Sequence, residues 1–253
     1  MYVEPRLQDS ALLFAFEGWN DAGEAATSAL GFINEAIHAA PLAQIDPEEF
    51  YDFTVSRPEV SLSPDLRRSI RWPSNTFRFG PVSDSRELVT CLGVEPHLRW
   101  RSFCDCMVDI VRKVGVERVV MLGSYLADVV YSQPVPVTGF ASRPELLEAL
   151  GVSVSSYQGP TGIVGVLADR LESEGLEVVS LWAGLPHYIN VRPNPRGALA
   201  LLRKLERCLD LKFDDQVLSA RALEFEEKIS RLVAGDPELR DYVKQLKRRE
   251  FVL

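Results

Sequence analysis

The chain has 253 residues, 46% hydrophobic and 25% charged, so it can bury one sizeable core and has the balance of an ordinary globular protein. Four cysteines are too few for a disulfide framework, and a net charge of −8 argues against DNA or RNA as a partner, since either would need a basic face. Mean hydropathy near zero and the lack of an apolar run of about 18 residues exclude a membrane-spanning helix. The opening MYVEPRLQDS has no secretory pattern, so the cytoplasm is the expected location.

Along the chain, the apolar run Leu12 to Phe16 reads as a buried strand feeding a helix from Asp21 to about His38. Ser69 to Trp72 and Thr76 to Phe79 alternate around Pro73, Ser74 and Asn75, a pattern that predicts an antiparallel hairpin. A strand over Glu87 to Leu92 precedes Gly93. A helix over Arg99 to Val114 leads to a strand at Arg118 to Leu122, and another strand is expected over Val135 to Phe140. A helix over Thr161 to Glu174 then leads to a strand at Val178 to Trp182. Buried strands alternating with helices predict a mixed, mostly parallel sheet covered on both faces.

After Asn194 the strand signals stop. Helices are expected over Arg196 to Leu209, Asp215 to Val233 and Pro237 to about Glu250. Residues 196–253 hold 13 basic and 11 acidic side chains, +2 in all, against −10 for residues 1–195. That charge step predicts a core domain over 1–195 and a helical subdomain over 196–253. Leu218, Leu223, Phe225, Ile229 and Leu232 lie near helical spacing, which fits a helix pair on its own core or an arm on another subunit.

Four segments carry residues that could do chemistry. In FAFEGWNDAG, Glu17, Trp19, Asn20 and Asp21 fall where a strand turns into a helix, the edge at which α/β sheets bind ligands. Gly18 permits a positive φ, Asn20 is a good N-cap, and Asp21 suits the helix dipole. Asp21 and Glu24 would repel a phosphate there, and Gly23 with Ala22, Ala25, Ala26 and Ala29 offers a small-residue face for close packing.

In LGSYLAD, Ser124 lacks the G-x-S-x-G elbow and an assignable histidine base, leaving Tyr125 and Asp128 to line a cleft or an interface. In YQGPTGIVG, Gly159 and Gly162 make a turn and Thr161 can cap the next helix. The glycine spacing matches neither the dinucleotide fingerprint nor a P-loop, and no pattern supports ATP or another cofactor. In WAGLPHYI, His187 and Tyr188 reach the same edge of the sheet. The three histidines, His38, His97 and His187, form no metal motif, so no metal is expected, and the cysteines are expected as reduced, mostly buried thiols.

Taken together and in order, FEGWNDAG, GSYLAD, PVPVTG, YQGPTGIVG and GLPHYI resemble the proteasome assembly chaperone 2 family in its actinobacterial form, over about residues 10–205. The resemblance implies a three-layer α/β/α sandwich similar to purine nucleoside phosphorylases, homo-oligomers with trimers preferred, and a role akin to chaperones of 20S proteasome assembly. The tail is similar to the extra helices of the actinobacterial branch. Proteasome-binding relatives often end in a hydrophobic residue, a tyrosine and any residue, whereas this sequence reads Phe251-Val252-Leu253, with valine where the phenol would be.

Two functional readings follow. In one, the protein is a non-enzymatic scaffold whose partners are its own copies and proteasome subunits, and the motif residues are interface or framework. In the other, a cleft binds or turns over a small molecule as nucleoside phosphorylases and hydrolases do. Glu17 or Asp128 would then be the acid or base, His187 a proton donor, and the Gly159 to Gly162 turn an anion holder.

Overall fold

The computed structural model describes residues 10–250. Ten strands and seven helices follow in chain order: β1 (Ala11–Glu17), α1 (Ala25–Ala36), β2 (Ala40–Ile45), β3 (Glu59–Leu62), β4 (Arg68–Arg71), β5 (Asn75–Ser83), β6 (Arg86–Val94), α2 (Trp100–Val114) and β7 (Arg118–Ala127). They continue with β8 (Val137–Ala141), α3 (Pro144–Ala149), β9 (Ser153–Val154), α4 (Ile163–Ser173), β10 (Glu177–Pro186), α5 (Pro195–Leu209), α6 (Gln216–Gly235) and α7 (Pro237–Glu250). Eight strands form one sheet in the order β2-β5-β6-β1-β7-β10-β8-β9, in which β6, β1, β7 and β10 run parallel. β5 and β8 flank them antiparallel, so the sheet is mixed and mostly parallel at its centre.

β1 shows why an unbroken apolar run belongs here. Leu12, Phe14 and Phe16 point to one face, into a core shared with Phe103 and Met107 of α2 and with Ile163 and Leu167 of α4. Ala11, Leu13 and Ala15 point to the other, against Ala26 and Ile33 of α1 and Leu201 and Leu202 of α5. With helices on both faces neither side of the strand can be polar, so the alternation of a half-exposed strand is absent.

The small residues of α1 serve close packing. Ala25, Ala26 and Ala29 are fully buried, and a Cβ on Gly197 of α5 would lie 2.8 Å from that of Ala25. α5 is thus laid against α1 and β10 as part of the layered core. α6 packs on α5 and α7 on α6. A third, smaller core joins Ile229, Val233, Val243 and Leu246 of these helices to Val130 and Tyr188.

Several local expectations are corrected. The hairpin expected around Pro73 to Asn75 does not form: β4 pairs with β3 in a separate two-stranded ribbon, while β5 joins the main sheet between β2 and β6. The cause is Asn75, which is buried over Gly93 and donates to the Tyr51 hydroxyl, so it begins a sheet strand instead of forming a turn tip. The first helix begins at Ala25 instead of Asp21, after a 3-10 turn at Ala22–Glu24 in which Gly23 has φ +60°. In α6, Leu218 and Ile229 are buried but Leu223 and Leu232 are exposed, so the five apolar residues do not form one stripe. Cys91 and Cys104 are buried, Cys106 and Cys208 are half-buried, and all four are free thiols.

Candidate functional site

The four motif segments meet at the C-terminal ends of β1, β7 and β10, where parallel strands and helix starts converge. They form two clusters. The first begins where β1 ends: Gly18 turns the chain with φ +118°, Trp19 is carried out to solvent, and Asn20 and Asp21 fold back into the protein.

Asn20 does not cap the helix as expected. It is fully buried, and its Nδ2 donates to Glu95 Oε1 at 2.8 Å. The cap comes from Asp21, whose Oδ1 accepts from the Ala26 N–H at 2.7 Å while Oδ2 accepts from the Thr27 hydroxyl. Burial raises the Asp21 carboxyl pKa above its ordinary value, and these hydrogen bonds oppose the rise. Ser124 completes the group: its N–H donates to the Asn20 carbonyl at 2.9 Å, and its hydroxyl donates to the Ala22 carbonyl at 2.8 Å and lies 3.3 Å from Asp21 Oδ1. The Ser124 hydroxyl is thus held by β1's extension and not by a histidine.

Glu95, just past β6, is the residue that sequence reasoning missed. Its N–H donates to the Glu17 carbonyl at 2.9 Å, and its Oε1 also accepts from the Ile163 N–H at 2.8 Å, at the first turn of α4. A carboxylate from the chain itself therefore sits where the Gly159 to Gly162 turn was expected to hold an anion. Thr161 does not cap α4 either; its hydroxyl lies beside Gly165. Gly162 is needed for proximity, because a Cβ there would fall 2.3 Å from Asn20 Oδ1 and 2.7 Å from Glu95 Oε1. The only signal in the sequence was an acid two residues after Gly93, near the end of a strand parallel to β1.

Glu17 stands at the surface end of β1. Partial burial and then the Asp21 charge raise its pKa, while Arg71 of β4 lowers it. Gly159 is exposed beside the Tyr157 hydroxyl, which donates to the Pro160 carbonyl at 2.8 Å.

The second cluster is built by the tail. His187 Nδ1 lies 3.1 Å from Asp128 Oδ1 and 3.3 Å from the Ala127 carbonyl, and its ring meets Tyr188 and Tyr242 edge-on at 5.5 and 5.6 Å. The Tyr188 hydroxyl donates to the Val129 carbonyl at 2.9 Å and accepts from the Tyr131 N–H at 3.0 Å. Tyr242 of α7 sits 3.4 Å from Asp128 Oδ1, and desolvation with that charge raises its pKa. Tyr242 went unnoticed because it belongs to a helix with no motif of its own. The neighbours of Glu17 and those of His187 do not overlap, so the proposed acid and proton donor belong to different clusters.

Among the described residues, no group of His, Cys, Asp or Glu side chains could hold a metal, and no helix is long and apolar enough to cross a membrane. A cavity of about 20 Å³, room for one water, lies beneath α6 between Tyr131, Leu185, Phe225 and Ile229 and includes neither Glu17 nor His187. The sheet end also exposes large apolar side chains: Trp19 is 61% exposed, Leu126 58%, Tyr157 64% and Tyr125 36%.

The PAC2 family model matches residues 15–233. The chain belongs to the PAC2 family. A proteasome-assembly chaperone homologue of Mycobacterium tuberculosis is 38% identical over 92% of this PAC2 chain and 99% of its own, with a TM-score of 0.85. A PAC2 family protein of Streptomyces avermitilis is also 38% identical, over 93% and 100% of the two chains, with the same TM-score. An archaeal proteasome activator of Pyrococcus furiosus shares the fold at 19% identity, TM-score 0.70, over 91% and 96%. No curated protein matches the sequence. The Phe251-Val252-Leu253 end, whose departure from the tyrosine pattern was noted above, lies outside the described residues.

Proposed function

We propose that this PAC2 protein is a non-enzymatic, oligomeric binding scaffold that works on proteasome subunits in the manner of an assembly chaperone, in the cytoplasm. One observation carries the reading. At the sheet end the polar motif groups are bonded to one another and to backbone, while Trp19, Tyr125, Leu126 and Tyr157 are left facing solvent. Buried polar groups bonded in this way position a surface, and large exposed apolar side chains are what a protein partner buries. The relationship to a proteasome-assembly chaperone homologue supports proteasome subunits as the class of partner. In this reading Asn20, Asp21, Ser124, Thr161 and Gly162 are framework. Trp19, Tyr125 and Tyr157 make contact, and Glu17, Gly159, Asp128, His187 and Tyr188 lie at the margin.

The test mixes the purified protein with proteasome subunits of the same organism and follows capture and the rate of assembly, for wild type and for Trp19→Ala with Tyr157→Ala. The expected result is capture or faster assembly by the wild type, weakened at least about tenfold in the variant, as for interface aromatics. Neither capture nor a change in assembly rate with the wild type overturns the proposal.

A further inference from the structure

The ribbon of β3 and β4 stands apart from the sheet, and all eight of its strand residues are exposed. Its register sorts them cleanly. Glu59 pairs with Arg71 as an ion pair, and Ser61 with Ser69 through their hydroxyls at 2.6 Å, on one face. Val60 opposite Ile70, and Leu62 opposite Arg68, fall on the other. Arg71 and Glu59 of the polar face lie within electrostatic reach of Glu17 at the sheet end. The apolar face is uncovered, with Val60 51%, Leu62 62% and Ile70 56% exposed and Leu66 at the tip 78% exposed.

Two short strands with one uncovered apolar face are marginal in water and become stable when that face is packed. Charge says against what. Residues 56–72 carry Arg57, Arg67, Arg68 and Arg71 against Glu59 and Asp65, a net +2 on a chain of −8, which leaves −10 on the rest. The arm is thus a basic, apolar-faced projection from an acidic body, and the complementary surface is another copy of that body.

We propose that the β3–β4 arm reaches onto the acidic α/β body of a second copy of this chain and that its Val60, Leu62 and Ile70 face is buried there. This names the contact behind the oligomer of the preceding reading, but it needs no proteasome to be tested. Sedimentation velocity on the purified full chain across a concentration series measures self-association directly. The wild type is expected to associate, and Val60→Asp with Ile70→Asp to lower the association constant at least about tenfold. Ser61→Asp, on the polar face, is expected to leave it unchanged. Arg68→Glu, which keeps the three apolar side chains, is expected to lower it severalfold, and added salt to weaken the wild type towards that value. A wild type that stays monomeric overturns the proposal, as does association of the apolar-face variant with wild-type strength. Proteasome capture by a monomeric wild type would refute the arm contact while sparing a partner role.

Discussion

Glu95 and Asn20, 75 residues apart, are joined by a 2.8 Å hydrogen bond from Asn20 Nδ2 to Glu95 Oε1, and the same oxygen accepts the Ile163 N–H. One carboxylate thus ties the end of β1 to the start of α4. Glu95→Ala would leave a fully buried amide and a helix N–H unpaired, a loss of about 1–3 kcal/mol. Glu95→Gln keeps an acceptor and should lose less than half as much. Urea denaturation of both variants checks the order.

Gly162 and Gly31 should respond to alanine with opposite signs. A Cβ on Gly162 meets Asn20 Oδ1 at 2.3 Å, so Gly162→Ala must displace the same network, at a cost of about 1–3 kcal/mol. Gly31, inside α1, has open space around its Cβ position, and Gly31→Ala should stabilise by about 0.5–1 kcal/mol through the unfolded chain. Thermal unfolding of the two variants side by side decides it.

Asp21 gives a pH signature. Its folded pKa is raised above 3.8 by burial, so the native state holds the proton more tightly than the unfolded chain. Its contribution to stability is therefore complete below its ordinary value and is lost as pH rises through the raised one. Relative to Asp21→Asn, the wild type should gain stability as pH falls from neutral towards 4. The midpoint of the wild type minus that of Asp21→Asn should rise as pH falls across that range, and a constant difference would contradict it.

Tyr242 should fasten α7. Its ring meets His187 at 5.6 Å and Tyr188 at 5.4 Å, so Tyr242→Ala is expected to loosen α7 locally. Amide exchange should rise in α7 and leave β1 and β7 protected.

Trp19→Ala, in contrast, should change stability by no more than about 0.5 kcal/mol, because the side chain is 61% exposed. A calorimetric melt tests this apart from any partner.

The layered α/β core was legible in the sequence because burial on both faces leaves a signature in local order. Leu12 to Phe16, Arg118 to Leu122 and Val178 to Trp182 all proved to be central parallel strands, and each tail helix fell within a few residues of its expected span. Family membership was legible for the same reason, since motifs are local strings. What the sequence could not convey was which strings meet. Whether β4 turns back on β5 or pairs with β3 is decided by Asn75 settling over Gly93, and whether Asn20 caps its own helix or reaches Glu95 is decided by β6 lying beside β1. The reason is physical: strand periodicity and helix spacing are written over a few residues, whereas a buried carboxylate's partner is chosen by the register of strands distant in the chain, which exists only once they pack.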